Sequence, residues 1–250
     1  MTAPAATATP ALRACELTKR YGAKLALAGV SLAVAPGTAF GLVGANGAGK
    51  TTLLKCALDH CAPDAGRVEF FGVPASEPRA RARLVYLPER FSPPHYMRGR
   101  EFLAMTAALA GERFERARAE WLLAELELEA DVLERPARQL SKGMTQKLGL
   151  AGCLLPRKDL YLFDEPMSGL DPAGRVAVKA ILARLNREGR TLFFTSHVLA
   201  DVEEVCSAIA VLDRGRVRFA GAPRALRERY GEPTLERAFL ACLRDHDGRD

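Results

Sequence analysis

The chain has 250 residues, 48% of them hydrophobic and 26% charged, enough apolar material for one α/β domain with a subdomain. Its net charge of +6 is carried mostly by arginine, and the densest basic run (Arg79, Arg81, Arg83, Arg90, Arg98, Arg100) lacks the interleaved aromatics of a single-strand binder. A nucleic-acid partner is therefore not expected. Six cysteines (Cys15, Cys56, Cys61, Cys153, Cys206, Cys242) show no CxxC pair and no metal-ligand rhythm, which suggests reduced, mostly buried thiols.

Residues 1–10, rich in Ala, Thr and Pro, have neither the basic nor the apolar region of a signal peptide and read as a disordered tail. No apolar run reaches the length of a membrane span, so any membrane crossing would fall to another polypeptide. Residues 12–36 predict two strands around a turn at Tyr21-Gly22. Thr38–Val43 reads as a short buried strand and Lys50–His60 as a helix. Pro63–Gly66 is a turn, Arg67–Phe71 alternates like an edge strand, and Leu84–Leu87 is a further strand stopped by Pro88. Residues 99–155 change to helical periodicity, with Trp121, Leu122, Leu126 and Leu128 on one expected apolar face. Strand–helix alternation resumes at Leu160–Phe163 and continues through Pro172–Glu188, Thr191–Thr195, Val198–Ser207 and Ala208–Leu212. Residues 222–244 add one or two helices. The pattern predicts a largely parallel sheet interrupted by an all-helical insert.

The chemistry concentrates at a few points on that frame. In Gly44-Ala-Asn-Gly-Ala-Gly-Lys-Thr51, Gly44, Gly47 and Gly49 let the backbone fold so that successive N–H groups face an anion. Lys50 adds a charge for terminal phosphates, the Thr51 hydroxyl can ligate Mg²⁺, and the following helix turns its positive end to the same place. Leu160–Glu165 is an apolar strand ending in two carboxylates. On its own such a pair reads as a helix cap, but beside a phosphate loop Asp164 suits a metal and Glu165 suits an attacking water. Ser141 and Gly143 open an apolar helix over Thr145–Leu155, where they could offer a hydroxyl and amides to an anion, although Ser141 alone reads first as an ordinary N-cap. His197, after the Thr191–Ser196 strand, is either a packing residue or a donor to a transferring phosphoryl group. Tyr21 is either a surface tyrosine or an aromatic face for a base.

In this order the pieces resemble the ATP-binding cassette (ABC) ATPases, from about Leu12 to Leu240. The resemblance implies a P-loop NTPase fold of the α/β class, with a mainly parallel sheet, an N-terminal antiparallel β region and an inserted helical subdomain. The nucleotide core would span 11–98 and 156–221, the helical subdomain 99–155 and the C-terminal helices and tail 222–250. It also implies an ATP-binding Walker A loop (Gly44, Ala45, Asn46, Gly47, Ala48, Gly49, Lys50, Thr51, Thr52) and a Walker B strand (Leu160–Asp164) with Glu165 as the base. A D-loop (Ser168–Asp171), the switch His197 and the adenine-stacking Tyr21 follow from it too. Mg²⁺ would be held by Thr51 and Asp164, with an oxygen from Glu89, which stands where the family carries Gln. The family's Leu-Ser-Gly-Gly-Gln signature is here Leu140-Ser-Lys-Gly-Met144, and in relatives Ser141 and Gly143 reach the nucleotide of the opposite subunit. The implied partners are therefore a second ATP-binding subunit and a separate transmembrane permease. The implied location is cytoplasmic, peripheral on the inner membrane face. The Lys142, Met144 and Glu89 variants and the Leu235–Phe239 tail lean toward the exporter-type branch. The alternative is a soluble ABC-type ATPase acting on nucleic acid or ribosomes.

Overall fold

A computed structural model describes residues 8–247; the tail expected over 1–10 lies, up to residue 7, outside the described residues. Leu12–Tyr21 (β1) and Lys24–Val34 (β2) pair antiparallel, turned by Gly22 at φ 57. The polar Glu16 sits at φ 47 inside β1, where the register with β2 shifts. Ala39–Val43 (β3) is buried at all five positions, as a strand covered on both faces must be. Lys50–Ala57 (α1) follows it. This helix ends three residues short of the expected His60, because Asp59 adopts φ 61 and the His60 and Cys61 amides both turn back to Lys55 O.

Ala65–Phe70 (β4) pairs with β1, and Val73–Pro74 (β5) closes a four-stranded sheet in the order β2-β1-β4-β5. The segment expected as an edge strand is thus interior. Its outer neighbour is only two residues long and ends in proline, a combination that blunts further pairing. Leu84–Leu87 (β6) precedes Gly99–Leu109 (α2), Arg116–Glu125 (α3) and Lys142–Leu154 (α4). Then come Leu160–Asp164 (β7), Pro172–Arg187 (α5), Thr191–Ser196 (β8), Leu199–Val205 (α6), Ala208–Asp213 (β9) and Arg216–Gly221 (β10). Pro223–Tyr230 (α7) and Leu235–Asp247 (α8) complete the described residues, and the last three positions of the expected C-terminal tail lie outside them.

The second sheet runs β10-β9-β3-β8-β7-β6, parallel throughout except for β10. This mixed α/β architecture matches the expected fold class. Alternate residues of the central strands feed opposite faces. Phe40 and Phe193 stack 5.5 Å apart toward the antiparallel sheet and α1, while Phe163 and Phe194 meet the helices of the other side. On α3 the structure departs from the expected apolar face. Leu122, Leu126 and Leu128 are buried, but Trp121 is 48% exposed. The helix stops at Glu125 and Glu127 turns through φ 53, so Leu128 re-enters the core from a loop and Trp121 stays at the rim under the Arg184 guanidinium.

All six cysteines are free, with Cys15 and Cys61 only partly buried. The basic run is largely matched by carboxylates: Arg79 with Glu77, Arg81 with Asp59, Arg83 with Asp159, and both Arg98 and Arg100 with Glu134. Phe193→Ala would remove a fully buried ring from between the two sheets. It is expected to lower unfolding free energy by about 3–5 kcal/mol, read from urea denaturation with unchanged m.

Candidate functional site

The parallel register decides which loops meet. Val43 lies beside Ser196 and Asp164 beside Thr195, so the chain leaves β3, β7 and β8 at one edge of the sheet, where open α/β sheets bind ligands. The loop from Gly44 to Gly49 rises from β3. Gly49 has φ 114, and a side chain there would come 2.6 Å from Ala26 O; one at Gly44 would collide with Leu212 O. No other residue type fits either position, which is why the loop can lie flat against β2 and β9.

Lys50 is buried at the start of α1, with Nζ donating to Gly44 O at 2.7 Å and Ala45 O at 3.4 Å. Glu165 Oε1 stands 3.9 Å away. Burial pulls the Lys50 ammonium below its ordinary range, while Glu165, Asp164 and Glu89 pull it back up. Its charge is thus held inside the loop by carbonyls and carboxylates, positioned for a more strongly anionic guest. The Thr51 hydroxyl donates to Asp164 Oδ2 at 3.0 Å. The other Asp164 oxygen accepts from Thr195 Oγ1 at 2.6 Å, and the same Thr195 oxygen accepts the Glu165 amide at 3.0 Å.

Glu165 leaves the strand at φ 52, a left-handed conformation that costs a non-glycine residue about 1–3 kcal/mol. The turn sends its carboxylate back over the phosphate loop, where His197 Nδ1 donates to Oε2 at 2.9 Å. His197 is otherwise half exposed.

A cavity of 410 Å³ opens among these groups, lined by Tyr21, Ala45, Asn46, Gly47, Gly49, Lys50, Thr51, Thr52, Glu89, Asp164, Glu165 and His197. Gly44 and Ala48 of the same loop are buried behind it. Glu89 reaches it from the loop after β6, is exposed, and makes no hydrogen bond among the described residues. Ser141 and Gly143 lie elsewhere. Ser141 Oγ accepts the Met144 amide at 3.2 Å as an N-cap of α4, and Gly143 packs against Gly169 in the loop after β7. Asp171, at the end of that loop, caps α5 through the Gly174 amide.

Three contributors to this site carry no motif. Thr195 is one of three hydroxyl residues in β8, and nothing local singles it out. Lys24 and Ala26 line the cavity from β2, a strand with no local sign of ligand chemistry.

The oxygen pair Thr51–Asp164 is the donor chemistry a Mg²⁺ ion takes. Among the described residues no cluster of three or more His, Cys, Asp or Glu forms an all-protein cage. That combination fits an ion that completes its shell with water and phosphate oxygens.

The family model described as ABC transporter matches residues 27–168. An uncharacterised ABC transporter ATP-binding protein of Nostoc sp. is 40% identical over 79% of this chain. The Nod factor export ATP-binding protein I of Burkholderia orbicola is 38% identical over 84% of this chain and 70% of its own length. The chain spans only 60% of the Nostoc relative's length. Among solved structures, an ATP binding subunit of an ABC transporter superposes with TM-score 0.82 at 27% identity, over 93% of this chain and 99% of that one.

Thr195→Val keeps the shape of the side chain but leaves the buried Glu165 amide and Asp164 Oδ1 without their partner. Unfolding free energy is expected to fall by about 1–3 kcal/mol, measured by denaturant titration.

Proposed function

This chain belongs to the ABC transporter family, and from that membership we propose that it is the ATP-binding and ATP-hydrolysing subunit of a transporter whose membrane permease is a separate polypeptide. One observation carries the reading: Lys50, Thr51, Asp164, Glu165 and His197, spread over 148 residues of sequence, line one cavity at the edge of the parallel sheet.

In this reading the amides of Ala45–Gly49 and the Lys50 ammonium bind the phosphates. Tyr21 offers its ring to the base, and Thr52 lines the loop's far side. Thr51 and Asp164 hold Mg²⁺, with Glu89 near enough to the cavity to add an oxygen. The ion, when bound, neutralises charge on the phosphate oxygens. Glu165 accepts the proton of the attacking water. The bond from His197 to Glu165 Oε2 leaves Oε1 as the oxygen facing Lys50 and the loop, so His197 orients the base as well as standing beside the terminal phosphate. Thr195 is a positioning residue, since it fixes the Glu165 backbone and Asp164 together.

Ser141 and Gly143 are assigned to the nucleotide of a second ATP-binding subunit. Neither residue lines the chain's own cavity, which supports this, as does the exposure of Ser141 at the start of α4. Two chains, identical or homologous, would then bury two ATP molecules between them and separate after hydrolysis. The proposed divisions are a nucleotide core (11–98 and 156–221), a helical subdomain (99–155) and C-terminal helices beyond 222.

The permease contact is placed at an apolar cavity of 490 Å³ between the Leu87–Phe91 segment and α2 and α4, beside Leu109, which is 81% exposed. No helix among the described residues is long and apolar enough to cross a membrane. The reading therefore puts the chain on the cytoplasmic face, held there by its permease. The Burkholderia relative is named for Nod factor export, which supports export as the direction. It also favours transport over the nucleic-acid or ribosome alternative, as does the pairing of the basic run with carboxylates.

Glu165→Gln is expected to bind ATP at wild-type affinity while phosphate release falls by two or more orders of magnitude, on the order of 3 kcal/mol of barrier. Steady-state turnover at the wild-type rate would remove Glu165 from the role of base. Ser141→Arg and Lys50→Ala are each expected to fold, by circular dichroism, and to lack activity. Mixing them should restore hydrolysis, because a mixed dimer holds one site with both Lys50 and Ser141 intact. If activity fails to return, the shared-site arrangement is wrong.

A further inference from the structure

Cys56, in the last turn of α1, and Cys61, in the turn beyond it, place their sulfurs 3.5 Å apart. The chain reversal at Asp59 brings them together. Cys61 Sγ also lies 3.5 Å from the Tyr21 hydroxyl, and the Tyr21 ring lines the nucleotide cavity. The two thiols differ in access: Cys56 is buried and Cys61 is partly exposed. A reagent from solvent meets Cys61 first, with Cys56 in van der Waals contact behind it. Burial, with the hydrogen bond to Cys61 behind it, pushes the Cys56 thiol up to about 12, so the first sulfur to react is the accessible Cys61 and not Cys56. Lys19 Nζ, beside the Cys61 turn, donates to Ala62 O at 2.7 Å and pairs with Asp64 Oδ1 at 3.4 Å.

We propose that Cys56 and Cys61 are a peroxide-oxidisable dithiol, and that closing it into a disulfide weakens nucleotide binding by withdrawing the sulfur that holds Tyr21. In the first step the Cys61 sulfur attacks a hydroperoxide. The O–O bond breaks, an S–O bond forms, and water or alcohol leaves with the thiol proton. In the second, the Cys56 sulfur attacks the Cys61 sulfenic acid. The S–S bond forms, the S–O bond breaks, and the hydroxyl leaves as water with the Cys56 proton. Two electrons pass from the two thiols to the peroxide, and a reducing thiol returns them. Closing the 3.5 Å gap to a covalent bond draws the Cys61 sulfur away from Tyr21 and removes its S–H. The tyrosine then keeps the Lys19 ammonium 5.6 Å from its ring centroid but has lost the sulfur contact, so more of its ordering falls to the nucleotide, an added cost of binding.

The inference rests on the cavity being the ATP site, and the experiment separates the two. The purified chain is treated with hydrogen peroxide or with dithiothreitol, its free thiols are alkylated, and its peptides are mapped. The Kd for Mg²⁺ with a non-hydrolysable ATP analogue is measured on both forms. Oxidation is expected to give a peptide linked through Cys56 and Cys61 and a Kd weakened roughly three- to ten-fold, the scale of one lost hydrogen bond. Dithiothreitol should reverse both changes, and both should be absent in Cys56→Ala and in Cys61→Ser. Two alkylated thiols after peroxide, a linked peptide with unchanged Kd, or a shift that survives in Cys56→Ala would each overturn the proposal. A reduced chain that binds no nucleotide would instead overturn the ATPase reading. Equal binding in both redox states would overturn this inference alone.

Discussion

A single hydroxyl, Thr195 Oγ1, ties together parts of the chain that share no local sequence. It donates to Asp164, accepts from the Glu165 amide, and through Asp164 is linked to Thr51 at the head of α1. The two Thr195 bonds are buried and the Thr51 bond partly so, and without the hydroxyl the Glu165 amide and Asp164 Oδ1 would lose their partner. They also hold the ends of β7 and β8 and the head of α1 at one level, so the phosphate loop, the two carboxylates and the histidine enter a common space. Were this small network loosened, the cavity would lose its acidic wall while the sheet below it stayed intact.

Above that network the site stores unfavourable states. Lys50 is out of water among carbonyl oxygens, and Glu165 sits in a left-handed turn. Each costs free energy that the surrounding packing must offset, and the buried Lys50 ammonium disposes the site toward an anionic guest. A phosphate entering the loop would meet amides and an ammonium already in place, so little reorganisation accompanies binding. The residues that impose this state are glycines, because at Gly44 and Gly49 neighbouring carbonyl oxygens occupy the space of a side chain.

The helical segment connects to the same centre by a second route. Gln146 on α4 donates to Pro166 O, one residue after Glu165, and Lys142 packs over Gly169. The start of α4 therefore rests on the loop that continues from the two carboxylates. A partner's nucleotide drawn to Ser141 and Gly143 would press on the segment that positions this chain's own Glu165.

The residues at the cavity were mostly written in local patterns. Gly44–Thr52, Asp164-Glu165 and His197 were legible because phosphate chemistry demands particular residue types at fixed short spacings, and the apolar runs before them marked the strands that deliver them. Trp121 misled because helical periodicity assumes the helix continues, whereas Glu127 breaks it. Arg67–Phe71 misled because alternation reports burial and not neighbours. Thr195, Lys24 and the Cys56–Cys61–Tyr21 contact left no local trace, since each depends on which strand lies beside which. Sequence alone determined which chemical groups are present and which local conformations they favour, because these follow from bonded neighbours within a few residues. Only the tertiary structure decided that those groups share one cavity and that Ser141 does not. Strand order and register are set by burial and hydrogen bonding across the whole chain, and no short segment encodes them.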